Sequence, residues 1–302
     1  MKKIFTLLVG ILAFSSLTAQ QDPLYSQYYN NPMLINPAFA GSNERLYASV
    51  AYRSQWSGIP GGPTTLNFNS HMTVANNKVG VGVVVVQDKL GDINNTFYGG
   101  TASYRIKLQN SMLSFGMQVG AVQYATNLDG VTVSNTSDPL FVPFTVTKFN
   151  TGAGILLTSD RYTLSVSVPQ LISNATTLNL GSQSAQLQVY SQNFYLYGSY
   201  LFYLSERVQF KPSTLIRATK GTPFSADLNA NLVFNKLYTA GIFTRKFNTY
   251  GVLVQAVMGN YRFGYVFELP GKGSALHYNT HEISLALSLD VLHSHNHSSP
   301  GY

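Results

Sequence analysis

The sequence predicts an all-β fold: a single transmembrane antiparallel β-barrel of about 14 strands, with an irregular N-terminal plug segment. Three observations predict it. Charged residues make up 10% of the 302, against roughly 25% in ordinary soluble domains, and Asn, Gln, Ser, Thr, Tyr and Gly take their place. Apolar and polar residues alternate with period two over long segments, and a strand's side chains point alternately to its two faces. Ahead of those segments lies a stretch too rich in Pro and Asn to be strand or helix, yet too apolar to be a solvated linker.

The charge profile suits a wall that is apolar toward lipid and polar, mostly uncharged, toward the lumen. The chain has no Cys, which removes disulfides, thiol catalysis and a lipid-acylation site together. Its basic excess is +7, and two of those charges, Lys2 and Lys3, belong to the leader. No basic run or cluster accompanies the remainder, so nucleic acid is not a predicted partner.

In order, residues 1–19 read as a signal peptide: Lys2-Lys3, an apolar core from Ile4 to Phe14, and a polar end at Ala19. No later segment reaches the roughly 18 apolar residues of a spanning helix. The exported chain therefore crosses a membrane with strands, in the outer membrane of a Gram-negative bacterium. Residues 20–44 form the plug segment. Pro23, Pro32 and Pro37 fix φ and remove backbone donors, while Leu24, Tyr25, Tyr28, Tyr29, Met33, Leu34, Ile35 and Phe39 demand burial. The expected place is inside or across the barrel mouth.

Residues 45–290 form the barrel. In Pro223–Asn235, Phe224, Ala226, Leu228, Ala230, Leu232 and Phe234 share the outward face, opposite Ser225, Asp227, Asn229 and Asn231. In Tyr261–Glu268 the outward face is Tyr261, Phe263, Tyr265 and Phe267. Fourteen such segments run from Arg45–Gln55 to Tyr278–Asp290, an even number, as single-chain bacterial barrels have; twelve or sixteen also accommodate the pattern. The short turns expected are Gln109-Asn110, Ser159-Asp160, Ser205-Glu206 and Phe247-Asn248. Long loops are expected at Thr126–Thr145, Leu171–Leu187 and Pro270–His277, and by convention face the outside. Residues 291–302 form a disordered tail, whose His293, His295 and His297 lack the rigid surroundings a metal site needs.

The chemistry-bearing residues favour structure over catalysis. His71, His277 and His281 could act as bases, but no nucleophile elbow or Ser/His/acid grouping accompanies them; no enzyme, cofactor or metal is predicted. Gly80, Gly82, Gly116, Gly120, Gly152 and Gly154 sit in strand pattern without a following helix, so bends or close approach of the plug backbone explain them. The inward charges are Arg53, Arg105, Lys107, Lys211, Arg217, Asp227, Arg245, Arg262, Glu268 and Glu282. They read either as an ion-pair network that closes the barrel around its plug or as a selectivity lining. Mixed signs and an apolar plug favour the network.

With those residues in view, the chain resembles the PorP/SprF family of Bacteroidota outer-membrane proteins. The resemblance begins at Gln27, Asn31-Pro32, Asn36-Pro37-Ala38 and Gly41, and continues in Tyr52-Arg53-Ser54-Gln55-Trp56, Gly62-Pro63 and Asn69-Ser70-His71. Further on it rests on Asp88-Lys89-Leu90-Gly91, Tyr104-Arg105-Ile106, the run from Ser165 to Leu171, Lys211-Pro212-Ser213, Asp227-Leu228-Asn229-Ala230, Gly264-Tyr265 and His281-Glu282-Ile283. The chain departs from the pattern where Val266 follows Gly264-Tyr265, and in continuing past its last strand.

The resemblance implies a role in type IX protein secretion and gliding. The implied partners are a secreted cargo protein, such as a gliding adhesin, recognised through its C-terminal targeting domain, together with periplasmic secretion-ring components and membrane lipid. Trp56, beside Arg53 and Gln55, is the expected plug-fastening residue. A second reading is a plugged outer-membrane channel for a hydrophobic small molecule, similar to fatty-acid transporters, which predicts a continuous apolar pocket.

Overall fold

The computed structural model describes residues 27–29, 31–126, 144–180, 183–219, 222–271 and 277–290. The predicted leader, the first residues of the plug segment and the tail with its three histidines lie outside the described residues. Among the described residues, seventeen strands occur in chain order. The first seven are β1 (Leu46–Ser54), β2 (Thr64–Val74), β3 (Val79–Leu90), β4 (Ile93–Lys107), β5 (Met112–Thr126), β6 (Phe144–Thr158) and β7 (Tyr162–Val168). A hairpin follows, β8 (Asn174–Leu180) and β9 (Gln183–Tyr190), then β10 (Asn193–Tyr200), the short β11 (Phe202–Tyr203) and β12 (Val208–Thr219). The series ends with β13 (Ser225–Phe234), β14 (Tyr238–Arg245), β15 (Thr249–Met258), β16 (Tyr261–Pro270) and β17 (Thr280–Leu289).

Each long strand pairs antiparallel with its neighbours, β7 pairs with β10, and β10 pairs with β12. Pairing of β1 with β17, from Leu46↔Leu289 to Ser54↔His281, closes the sheet. Leaving aside β8, β9 and β11, 14 strands form the wall of a closed barrel, in agreement with the alternation read from the sequence. The loop expected over Leu171–Leu187 is taken up by the β8–β9 hairpin, which runs on to Tyr190 and whose two strands pair only with each other among the described residues.

Period-two sequence produces a wall with two different faces. Val254, Phe263 and Ile283 are exposed on the outside. On the inside, Asn69, Asn150, Ser165, Asp227 and Glu282 are buried, together with Leu156, Tyr197 and Val266. Chain direction gives the barrel two distinct ends. β1 starts at the end where residues 75–78, 108–111, 159–161, 235–237 and 259–260 make tight connections, several through left-handed residues such as Asn76, Asn77 and Lys236. It finishes at the end that carries residues 55–63, 169–180, 183–192, 271 and 277–279. Phe247-Asn248, expected with the short-turn set, lies at this loop end, because β14 runs from the turn end toward it. A compact hairpin thus interrupts the longer connections there.

Candidate functional site

The N-terminal segment occupies the lumen as three single 3-10 turns, Gln27–Tyr29, Pro32–Leu34 and Pro37–Phe39. Pro32 and Pro37 each stand at the start of a turn, where the missing N–H costs nothing and the fixed φ favours the bend. Asn36 caps the third turn: its Oδ1 accepts from Ala38 N at 2.8 Å. Its Nδ2 donates to Ser165 Oγ at 2.6 Å and to Ile155 O at 3.0 Å. One fully buried amide therefore shapes the plug and ties it to β6 and β7.

Irregular backbone inside a barrel leaves carbonyls that need donors, and inward Ser residues supply them. Ser167 Oγ donates to Ile35 O at 2.5 Å, and Ser103 Oγ to Ala40 O at 2.7 Å. Gly41 N donates to His71 Nδ1 at 3.1 Å, with the His71 ring stacked on Tyr47. Met33, Ile35, Ala38 and Phe39 pack against Val84, Phe97, Val122 and Leu156 in one buried cluster. The wall gives way to the plug where it carries no side chain. A Cβ at Gly80 would fall 2.0 Å from Ala40 O, one at Gly116 2.1 Å from Ala38 N, and one at Gly154 2.0 Å from Asn36 Oδ1. Gly82 and Gly120 instead make room within the sheet, and Gly152 for Pro169.

Toward its N-terminal end the plug crosses to the opposite wall. Tyr28 OH accepts from Asn229 Nδ2 at 2.7 Å, and its ring meets Tyr197 edge-on at 6.0 Å. Tyr29 packs on Phe243, Leu253 and Val266, and Lys211 Nζ lies 4.8 Å from its ring centre, within cation–π range.

A second closure is electrostatic and sits near the loop end. Arg53 on β1 forms a two-pronged bond to Glu268 on β16, at 2.9 and 2.8 Å, and reaches Glu282 on β17 at 3.2 Å. Arg245 on β14 bonds Asp227 on β13 at 3.0 Å and approaches Glu268 at 3.6 Å. All five side chains are buried. Glu268 reaches Arg245 across β15 at Gly251, its register partner, and the Phe243 ring fills the space of the absent Gly251 side chain. The resulting chain Glu282–Arg53–Glu268–Arg245–Asp227 spans the line where the last strand meets the first. Lys246, in the adjacent turn, has its pKa lowered by partial burial and by the nearby Arg217 and Arg245. At the turn end, Arg105 pairs with Glu44 at 3.2 Å, and Arg45 with Asp290.

The structure therefore sorts the residues singled out in the sequence into separate groups. Asn31, Pro32, Asn36, Pro37, Ala38 and Gly41 belong to the plug, which Gln27 opens. The Asn31 amide is buried, with neither atom partnered among the described residues. Arg53, Asp227, Glu268 and Glu282 form the network; Arg105 holds Glu44, Lys211 meets Tyr29, and Arg217 and Arg262 lie on inward registers. Gln55 and Trp56 stand apart from the described part of the plug. Gln55 N bonds Pro63 O at 2.8 Å, and Trp56 N bonds Thr280 Oγ1 at 3.3 Å, in the loop after β1. The plug meets β1 at that strand's opposite end, so no bond joins Trp56 to it among the described residues. Of the serines that hold the plug, Ser165 and Ser167 stood in the sequence only as part of a family motif and Ser103 not at all; their signal as plug holders is small hydroxyl residues at alternate, inward positions.

Solved structures share the architecture. A Pseudomonas aeruginosa FadL homologue superposes with TM-score 0.53 at 12% identity, covering 84% of this chain and 92% of that one. The TodX deltaS2S3 mutant monoaromatic hydrocarbon channel gives 0.50 at 10% identity, with 86% and 94% covered. The Acinetobacter baumannii outer membrane protein Omp33 gives 0.47 at 8%, with 82% and 100% covered. No curated protein matches the sequence. The family model described as type IX secretion system membrane protein PorP/SprF matches residues 17–287.

Proposed function

The chain belongs to the PorP/SprF family of type IX secretion system membrane proteins, and from that premise we propose that it acts as a sealed, non-enzymatic docking barrel. It sits in the outer membrane and holds, or helps export, a secreted cargo protein by contacting the cargo's C-terminal targeting domain. The observation that carries this reading is the double closure of the lumen. Asn36 and the inward serines bind the plug to β4, β6 and β7, and the Arg53–Glu268–Arg245 chain bridges the wall nearer the loops. A lumen built this way does not serve as an open passage, so recognition falls to the rim. There the connection between β7 and β10, which carries no charged residue, offers Asn, Gln and Ser for hydrogen bonds and Tyr for apolar contact. Periplasmic secretion-ring components are the partners proposed for the turn end.

The test is a mild-detergent pull-down of the tagged protein from native outer membrane, read by mass spectrometry. Recovery of an exported protein through its C-terminal domain, or of secretion-ring components, is the expected result. Recovery of the barrel alone, carrying stoichiometric fatty acid, would replace this reading with the hydrophobic channel.

A further inference from the structure

We propose that the barrel lumen, at its turn end, holds a binding site for a small, doubly charged oxyanion of the phosphate class, formed by Lys211 on β12 and Arg262 on β16. Strand direction fixes the depth of the site. β1, β12 and β16 all start at the end of the tight connections. Tyr47, Lys211 and Arg262 stand close to the starts of these strands. Parity turns all three inward. Gln209 and Ser213, two residues to either side of Lys211, are buried, as are Ser49 beyond Tyr47 and Gly264 beyond Arg262.

The two cations share one place in the lumen. Lys211 Nζ lies 4.8 Å from the centre of the Tyr29 ring. The charge of Arg262 acts on Lys211, on Tyr29 and on Tyr47, whose hydroxyl the guanidinium also approaches as a donor. Lys211 and Arg262 are each half-buried, so water reaches both.

Charge balance sets this pair apart. Arg53, Arg105 and Arg245, also buried and inward, each bond a carboxylate: Glu268 with Glu282, Glu44, and Asp227 in turn. Lys211 and Arg262 bond none among the described residues. The buried carboxylates Asp227, Glu268 and Glu282 are engaged near the loop end, away from this pair. Two like charges drawn partly out of water side by side are costly until an anion joins them. Aromatic groups hold the two cations instead, Tyr29 at the ammonium and Tyr47 at the guanidinium. A ring face takes no N–H from the ammonium, and one hydroxyl occupies only part of a five-donor guanidinium. Donors therefore remain on both sides for a ligand. A phosphate dianion balances both charges and accepts from both groups, whereas a single carboxylate balances one. Position excludes a lipid headgroup, because the pair lies inside the wall, so the ligand is a soluble anion that enters from the turn end.

The experiment is calorimetric titration of inorganic phosphate into the detergent-purified full-length barrel, with acetate as the singly charged comparison. Heat-dependent gel migration checks that each variant is folded. The wild type is expected to bind a single phosphate, more tightly than acetate. Lys211→Gln and Arg262→Gln should each weaken phosphate about tenfold, the loss of one charge-assisted contact. Arg262→Lys keeps the charge and should retain most of the affinity. Lys236→Gln, in the turn between β13 and β14 at the same end, should bind as the wild type does. Phosphate bound no more tightly than acetate would overturn the site. So would equal weakening by Lys236→Gln and Lys211→Gln. Phosphate binding that appears only in Asp22→Asn would give the place to the chain's own carboxylate and overturn the free ligand.

Discussion

Asn36 and Ser165 lie 129 residues apart in sequence and are joined at 2.6 Å inside the barrel. The same Asn36 amide holds Ala38 through its oxygen, so the bond that bends the plug and the bond that anchors it belong to one side chain. Plug shape and plug position are therefore not separable properties of this molecule.

Asn36→Ala removes that shared point and leaves Ser165 Oγ and Ile155 O without their donor. The expected cost is about 1–3 kcal/mol for stranding buried partners, concentrated on the plug rather than the wall. Single-barrel conductance in planar bilayers should rise, while heat-dependent gel migration stays that of a folded barrel. Trp56→Ala, made in the loop at the other end of β1, should leave conductance near the wild-type level. A larger rise from Trp56→Ala than from Asn36→Ala would return the fastening role to Trp56.

Gly154→Ala puts a methyl group where Asn36 Oδ1 now sits, at 2.0 Å. Either the plug moves or β6 does. Protease cleavage within residues 20–44 of the purified barrel should quicken markedly in Gly154→Ala and in Gly80→Ala. Gly100→Ala, with open space around the added atom, is the matched control and should cleave at the wild-type rate.

Arg53→Ala leaves Glu268 and Glu282 buried without their shared cation. Breaking a buried pair from one side costs about 3–5 kcal/mol, and urea unfolding in detergent should show a loss of that size. Replacing Arg53, Glu268 and Glu282 together by Met, Leu and Leu should recover much of it, since desolvation of the three charges is no longer required. A triple variant as unstable as Arg53→Ala would mean that the ions hold the seam by more than mutual neutralisation.

Val254→Arg tests the outward face. Val254 is 49% exposed near the middle of β15, and an arginine at the bilayer midplane of a barrel costs about 2–4 kcal/mol. Folding into lipid vesicles should lose stability by that amount. No change would mean that this wall does not face hydrocarbon.

Much of this was legible because a membrane wall imposes one period on every strand. In Pro223–Asn235 the alternation alone assigned Ser225, Asp227 and Asn231 to the lumen, where all three are buried. The inward charges were visible for the same reason. Their partners were not, because Arg245 and Glu268 meet across an intervening strand at Gly251, and period two says nothing of next-nearest strands. Trp56 illustrates a second limit. It follows Arg53 and Gln55 closely in sequence, but β1 carries it to the far end of the barrel from Gly41. The β8–β9 hairpin went unread because its polar, Asn- and Gln-rich residues resemble a loop when the chain leaves the membrane.

The pairing of β1 with β17 sets a timetable for biogenesis. Arg45 meets Asp290 across 245 residues of chain, so until the last strand arrives the molecule is an open sheet with two raw edges. Part of the plug need not wait for that moment. Asn36, Ile35 and Ala40 bond to β4, β6 and β7, all from the first part to emerge, and can seat there while the sheet is still uncurled. Closure then wraps the second half around a segment already in place. A plug put in before the cylinder exists would never need to be threaded through a finished mouth, and a factor that folds the protein by that order would have to keep those two raw edges apart until the seating is done.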